Sequence, residues 1–186
     1  MHCPGKSVAV VACSFLLFVG GRPFAEDWLV DHYRWGKKTG HQIPASLYVQ
    51  GHLSSVDYIL LSSSTHAISV LQKMRSGTLR EETDMPMAKL IIVSCHATVR
   101  RYLGEIRKTL ATNAPRNDER TKVLEVLAEI ESLLGPSPAP EDHGESATPP
   151  ADSVVRGCCR RIIAACGYYG TKHESLKKSV ELLYKD

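Results

Sequence analysis

The sequence lacks, beyond its first two dozen residues, any stretch that is long and apolar enough to cross a bilayer. It also has no Asn-x-Ser/Thr sequon, no glycine-rich phosphate loop, no nucleophile elbow and no residue pair at zinc-binding spacing. Its eight histidines are dispersed along the chain. These absences predict a protein that is not inserted in a membrane, is not an enzyme and binds no metal or cofactor.

An excess of charge of one sign is also missing. The 23 Lys and Arg residues are nearly balanced by 20 Asp and Glu residues, and the net charge is only +3. The basic residues are scattered among the acidic ones, whereas nucleic-acid-binding proteins concentrate them in patches or stripes. We therefore expect no nucleic-acid partner.

Cysteines are too few to hold a small domain together. Two of the six, Cys3 and Cys13, lie in the N-terminal apolar segment. The others are Cys95, Cys158, Cys159 and Cys166. Because the adjacent Cys158 and Cys159 point to different sides of a helix, at most one of them can easily reach Cys95. We expect no disulfide or a single one, with Cys95 and Cys159 as the candidate pair, and a fold that depends on its core.

The N-terminus has the order of a secretory signal peptide. A short segment with a single lysine precedes an uncharged apolar run at Ser7–Val19, and small residues follow, among them Gly21 and Ala25. We predict a signal peptide over residues 1–25, cleaved after Gly21 or Ala25, and a mature domain over residues 26–186. The mature protein is expected to be secreted into the extracellular fluid.

The C-terminal third of the chain predicts the longest helix. Apolar positions recur there at alternating spacings of four and three residues, over about eight turns. Asp152 is the predicted N-cap, directly after Pro149 and Pro150. The stripe consists of Val155, Cys159, Ile162, Cys166, Tyr169, His173, Leu176, Val180 and Leu183.

Two further helices precede it. One extends from Asp118 to Leu134 and is ended by Gly135-Pro136, and the other extends from Met87 to about Leu110, with Asp84 and Pro86 at its start. The short link between them predicts antiparallel packing. The apolar stripes are Val123, Leu127, Ile130 and Leu134 in one helix, and Ile92, Cys95, Val99, Tyr102, Ile106 and Leu110 in the other.

The N-terminal half of the mature chain is less regular. A first helix over Leu29–Leu47 has the same three- and four-residue spacing of its stripe positions. It contains Gly36, Gly40 and Pro44, so it must be kinked or broken. The apolar stretch Val56–Met74 follows, which predicts an irregular or helical link. Segment 136–150 is rich in proline, serine, alanine and acidic residues, and we expect a flexible loop there. Such a long crossover permits an all-α, up-up-down-down four-helix bundle with long crossover loops.

A short motif supports an alternative function. Residues 31–38, Asp-His-Tyr-Arg-Trp-Gly-Lys-Lys, resemble the melanocortin core of the pro-opiomelanocortin hormones. Gly36-Lys37-Lys38 also has the layout of an amidation and dibasic-cleavage site. The alternative is therefore a secreted prohormone that releases an amidated melanocortin-like peptide ending at Trp35. Trp28, Tyr33 and Trp35 also fit the core and flank of a helix.

The whole-chain pattern resembles the long-chain helical cytokines of the interleukin-6 type. Cys166-Gly-Tyr-Tyr169 followed by Leu182-Leu183 is similar to the last helix of cardiotrophin and neuropoietin, and Leu47-Tyr-Val-Gln-Gly51 is similar to the end of their first helix. The proline-rich loop before the last helix also resembles interleukin-11 and the alpha subunit of interleukin-23. Where the family has an aromatic residue at the start of the last helix, this chain has Val154-Val-Arg-Gly157.

This resemblance implies a secreted cytokine that brings class I cytokine receptor chains together on the cell surface. The resemblance also implies a soluble receptor-like subunit as a further partner. Outward charges would form two receptor-binding faces. The face on the last helix consists of Lys172, Lys177, Lys178, Glu181 and Lys185. The face on the first and third helices consists of Arg34, Lys37, Arg120, Glu125 and Glu129.

Overall fold

The computed structural model describes residues 43–136 and 151–185, which form helices and no strands. The four helices are α1 (Ala45–Ser76), α2 (Asp84–Asn113), α3 (Asp118–Leu134) and α4 (Ala151–Leu183). The predicted all-α class is therefore confirmed for this part of the chain. The predicted signal peptide, the melanocortin-like motif and nearly all of the proline-rich loop lie outside the described residues. None of the four helices is apolar over a length that would cross a membrane.

Helix α1 differs most from the prediction. A first helix was expected to end near Leu47, with an irregular or helical link from Val56 onward, but one continuous helix of 32 residues begins at Ala45 and includes all of Val56–Met74. Most of the predicted first helix lies outside the described residues. Pro44 precedes this helix, and its carbonyl accepts a hydrogen bond from the Tyr48 amide at 3.1 Å. Proline is tolerated at such a position because a helix start needs no donor there. Pro44 therefore lies directly before the first residue of α1.

The serine-rich centre of α1 is helical, and the hydroxyl of one of its buried serines is satisfied within the helix. The Ser64 hydroxyl donates to the Leu61 carbonyl at 2.9 Å, so its burial leaves no donor unpaired. Val49, Leu53 and Leu60 are almost fully buried on the same side of the helix. Burial of this face outweighs the low helix propensity of the serines.

Helices α2 to α4 bury the stripes that the sequence predicts. All four predicted stripe residues of α3 and all six of α2 are fully or almost fully buried. In α4, seven of the nine are buried, while Cys166 and His173 are half-buried. Asp152 lies in the first turn of α4, and α2 begins at Asp84, earlier than Met87. The bounds of α3 match the prediction.

Asn117 is the N-cap of α3. Its side-chain oxygen accepts a hydrogen bond from the Arg120 amide at 3.0 Å. We predict that Asn117→Ala lowers the free energy of unfolding by about 1 kcal/mol, because one amide of the first turn loses its acceptor. Urea titration followed by circular dichroism measures this change, and Asn117→Asp, which keeps an acceptor, should preserve most of the stability. Equal losses for the two variants would contradict the capping role.

The first two helices are antiparallel. Lys73, near the end of α1, pairs with Asp84 at the start of α2, with a distance of 2.8 Å between Nζ and Oδ1. The rings of His52 and Tyr102, near the opposite ends, have centroids 5.1 Å apart. The seven residues 77–83 between the helices span at most about 25 Å, whereas α2 is about 45 Å long. This link is therefore too short to be a long crossover.

The remaining consecutive pairs are antiparallel as well. Arg107 of α2 pairs with Glu131 of α3 at 2.7 Å, and Arg100, two turns earlier in α2, donates to the Gly135 carbonyl just after α3, so the two helices run in opposite directions. Ser179, near the end of α4, donates to Glu119 in the first turn of α3 at 2.6 Å. The described helices thus alternate in direction along the chain, and the predicted up-up-down-down order with long crossovers is not confirmed.

Candidate partner-binding face

Five of the ten predicted receptor-binding residues lie along the seam between α3 and α4. We call the outward surface along this seam the α3/α4 face. The five residues are Arg120, Glu125, Glu129, Lys172 and Lys178. The two predicted faces are therefore not separate in the described structure, because charges from both sets meet here.

Tyr168 is the centre of the α3/α4 face. It is half-buried on α4 and packs against the core, and the Lys172 Nζ lies 5.9 Å from the centroid of its ring. Burial raises the pKa of the Tyr168 phenol, and the negative charges of Glu129 and Glu125 raise it further. The phenol is therefore a neutral hydrogen-bond donor with a cation near its ring and two carboxylates whose charges act on it.

Glu119 connects α3 to α4 at one end of this face. One oxygen of its carboxylate lies 2.6 Å from the Lys122 ammonium, and the other accepts the Ser179 hydroxyl at 2.6 Å. The hydrogen bond from Lys122 lowers the pKa of Glu119 most, followed by the one from Ser179, and the charge of Lys178 adds to the effect. Glu119 is therefore ionised at neutral pH and joins the two helices.

Arg120 lies near Tyr184 at the same end. Burial raises the pKa of Tyr184, and the positive charge of Arg120 partly opposes this shift. Arg120 and Tyr184 thus add a cation and a half-buried aromatic ring to the α3/α4 face, which are the side-chain types enriched in protein interfaces.

Two arginines hold the other end of the seam, where α3 stops. Gly135 adopts a positive φ of 68°, and its carbonyl accepts a hydrogen bond from Arg100 of α2. Arg161 of α4 packs against the same glycine, since a Cβ added there would lie 3.1 Å from the Arg161 Cδ. Arg161 also donates to the Cys158 sulfur at 3.1 Å. These arginines complement the carbonyl end of the α3 dipole and fix α3 against its neighbours.

The other predicted receptor-binding residues are not part of this face. Lys177 is half-buried and Glu181 is exposed, and both lie well around α4 from Lys172 at 100° per residue. Lys185 is exposed and lies beyond the last residue of α4. Arg34 and Lys37 lie outside the described residues. Sequence reasoning did not predict Tyr168 as a site residue, because it neighbours the buried Tyr169 and falls one position off the apolar stripe.

The four cysteines of the described residues are free thiols, so the candidate disulfide between Cys95 and Cys159 is not formed. Burial raises the pKa of Cys95 and that of Cys159 to about 11. Neighbouring thiols, Cys166 and Cys158 respectively, add to these shifts, while a hydrogen bond from Ser63 opposes the one at Cys95. Cys95 and Cys159 are therefore protonated at neutral pH and poor nucleophiles.

Within residues 43–136 and 151–185, no three His, Cys, Asp or Glu side chains are grouped closely enough to hold a metal ion. Comparisons with protein-family models, with curated proteins and with solved structures found no match to this chain. We take the α3/α4 face as the candidate site because the half-buried Tyr168 and Tyr184 and the cation Arg120 lie on it.

Proposed function

We propose that this chain is a secreted helical signalling protein of the cytokine type, which binds class I cytokine receptor chains through the α3/α4 face. The observation that carries the proposal is the environment of Tyr168, which is half-buried, has the Lys172 ammonium near its ring and feels the charges of Glu125 and Glu129. Contacts at both ends of the seam hold α3 and α4 together. Tyrosine and arginine dominate the binding energy of many interfaces, and such residues act best when they are ordered before binding.

The charges around Tyr168 favour selective recognition. Lys172 and Arg120 offer donors, while Glu125 and Glu129 offer acceptors within the same surface, so a partner must match both signs. Such complementarity speeds association and rejects partners whose charges are arranged differently. Binding energy is then converted into proximity of receptor chains without any catalytic step.

The interleukin-6-type resemblance enters this proposal in one respect only, the use of outward helix faces to bind receptors or a soluble receptor-like subunit. The up-up-down-down order is not carried over to α1–α4, because their consecutive contacts are antiparallel. Export by the predicted signal peptide is part of the proposal, since the receptor-binding domains would be extracellular.

The test is a binding titration of the secreted product of the full chain against a panel of class I cytokine receptor ectodomains. We expect at least one ectodomain to bind, and we expect Tyr168→Ala to weaken that binding by about 30-fold, equivalent to about 2 kcal/mol. Lys172→Glu should also weaken it, because a third negative charge would join Glu125 and Glu129.

The matched control is Lys108→Glu, which makes the same charge change at an exposed position of α2. It should alter the affinity by less than about twofold, because surface charges outside an interface contribute little. Circular dichroism of each variant checks that the helices remain. The proposal fails if no ectodomain binds, or if Tyr168→Ala binds as tightly as the wild type.

A further inference from the structure

Two positive charges meet where α3 ends, without a carboxylate to balance them. The Arg100 guanidinium donates to the Gly135 carbonyl, and the central carbon of the Arg161 guanidinium lies 3.5 Å from a Cβ built on the same glycine. Neither arginine forms an ion pair with a carboxylate of residues 43–136 or 151–185. The described helices therefore leave this pair of like charges without an opposite charge.

The carbonyl end of α3 compensates only part of this charge. A helix C-terminus carries about half of a negative elementary charge, so the two guanidinium groups keep a net charge of about +1.5. Each guanidinium also has five N–H donors. Among the described contacts, Arg100 uses one of them on the Gly135 carbonyl, and Arg161 uses one on the Cys158 sulfur. Most donors of the pair thus have no acceptor in the described part of the chain.

His96 adds a buried ring at the same place. It lies on α2 one turn before Arg100 and is fully buried, and neither ring nitrogen has a hydrogen-bond partner among the described residues. Besides its burial, the charges of Arg100 and Arg161 lower the pKa of His96, so both guanidinium groups lie near the ring. The Arg161 Nε is buried without a partner as well. Since buried polar groups are almost always hydrogen-bonded, these atoms indicate an additional acceptor.

We infer that Arg100, Arg161 and His96 form a binding site for a tetrahedral oxyanion with two negative charges, sulfate or phosphate. A net charge of about +1.5 favours a dianion over a chloride ion. Guanidinium groups donate pairs of hydrogen bonds to the oxygens of such anions. The N–H groups come from three side chains, so an anion with four oxygens can accept from more of them than a planar carboxylate can.

The site lies at the boundary between surface and core. Arg100, Gly135 and Arg161 are half-buried, so a small anion can reach the guanidinium groups from solvent. A bound anion would connect α2 to α4 beside the end of α3 and stabilise the bundle. The inference does not depend on receptor binding, because none of these residues belongs to the α3/α4 face.

The first test is thermal unfolding of the full secreted chain in sodium sulfate or sodium phosphate at neutral pH. For a dissociation constant of about 1 mM, about 10 mM of anion should raise the folding constant about tenfold and the melting temperature by about 4 °C. Sodium chloride at equal ionic strength should give a much smaller shift. Sulfate also stabilises folded proteins in general by exclusion from their surface, but that effect is the same for all variants.

Variants of the two arginines locate the effect. Arg161→Gln and Arg100→Gln, each compared with its own melting temperature in chloride, should lose most of the sulfate shift. The matched control is Arg160→Gln, at the adjacent, exposed arginine of α4. It should keep the shift, because neighbouring residues of a helix point about 100° apart.

A sulfated monosaccharide separates two sources of the anion. If it shifts the melting temperature of the wild type as free sulfate does, and Arg161→Gln removes that shift, the site accepts sulfate groups on sugars. A shift with the free ions alone assigns the site to inorganic sulfate or phosphate.

The second test uses NMR of the wild-type chain, so it does not depend on the folding of the arginine variants. The ring nitrogen signals of His96, identified by their loss in His96→Leu, should move as sulfate is added. They should report the same dissociation constant as the melting temperature. The signals of His66 on α1 should stay unchanged, because α1 contributes no residue to the site.

Three results would overturn the inference. Equal melting temperatures in sulfate and in chloride would mean that no specific anion binds. Equal losses of the sulfate shift in Arg160→Gln and Arg161→Gln would mean that sulfate acts through the general surface charge. Unchanged His96 signals during a sulfate titration would place the anion elsewhere on the chain.

Discussion

Lowering the pH from 7 to 4.5 is expected to destabilise the helical bundle by several kcal/mol, with the loss beginning near pH 6.5. Two buried histidines cause it. His96 is fully buried and His52 is 5 % exposed, and the pKa of each is lowered from 6.5 to about 4. Burial is the largest cause for both, since it disfavours the charged imidazolium.

The charges around the two histidines modify this effect. Arg100 and Arg161 face His96, and both lower its pKa further. Glu105 raises the pKa of His52, and Arg101 lowers it. The net shift is downward at both sites, so neither ring is protonated in the folded protein at neutral pH.

The direction of the stability change follows from proton linkage. Between pH 6.5 and pH 4 the unfolded chain binds protons at these two positions and the folded chain does not, so stability falls as the pH falls. Each histidine contributes about 1.4 kcal/mol for each pH unit within this window and nothing above it. The pKa of Asp84 is lowered to about 2, chiefly by the hydrogen bond from Lys73, so its contribution is lost only at lower pH.

Urea unfolding at pH 7.0, 6.0, 5.0 and 4.5 measures the effect, with pH values chosen to span the window. His96→Leu should reduce the pH dependence by about half, because one of the two titrating groups is gone. Ile92→Val, at a buried position of the same helix, is the control: it should lower stability by about 1 kcal/mol equally at every pH. A wild-type stability that stays constant from pH 7 to pH 4.5 would contradict the burial of the histidines.

Tyr169→Ala is expected to be the most damaging single core substitution, at about 3 to 5 kcal/mol. The Tyr169 ring is 1 % exposed, and its hydroxyl donates to the Leu53 carbonyl of α1 at 2.6 Å. Alanine would leave a cavity and remove a buried hydrogen bond between α4 and α1. Since a small bundle has a total stability of about 5 to 15 kcal/mol, the variant should be partly unfolded at 37 °C.

Two variants separate the contributions of Tyr169. Tyr169→Phe keeps the ring and should cost only about 1 kcal/mol, the usual value of one neutral hydrogen bond. Tyr58→Ala makes the same truncation at an exposed tyrosine of α1, so it should change the stability of the single chain by less than about 0.5 kcal/mol. Thermal unfolding at low protein concentration measures all three. A Tyr169→Ala loss no larger than that of Tyr58→Ala would mean that α4 does not pack on α1 as described.

Most of the helical architecture could be predicted from the sequence because it is local. The buried side of α3 is predicted by the helical spacing of its apolar residues, Val123, Leu127, Ile130 and Leu134. The end of α3 is predicted by Gly135, because glycine readily adopts the positive φ found there. Helix α1 was only partly predicted, because Pro44 and the serines near Ser63 are typical of breaks. Burial of its apolar face makes this segment helical, and the helix propensities of single residues contain no information about burial.

The candidate site was harder to predict, because its contacts join residues distant in the sequence. Glu119 and Ser179 are 60 positions apart, and Arg100 and Gly135 are 35 apart. Charges such as Glu125 and Lys172 could be predicted as outward-facing, but not as neighbours of Tyr168. Such pairings depend on how the helices are oriented, and no local pattern encodes that orientation.

We propose that the chain acts outside the cell as an intact helical bundle. Intact-mass spectrometry of conditioned medium, after expression of the full chain in secretory cells, tests it most directly. We predict one product that begins after Gly21 or Ala25 and retains the rest of the sequence. A chain found only inside the cells, or a product cut after Lys38 with a released peptide ending at Trp35, would contradict the account.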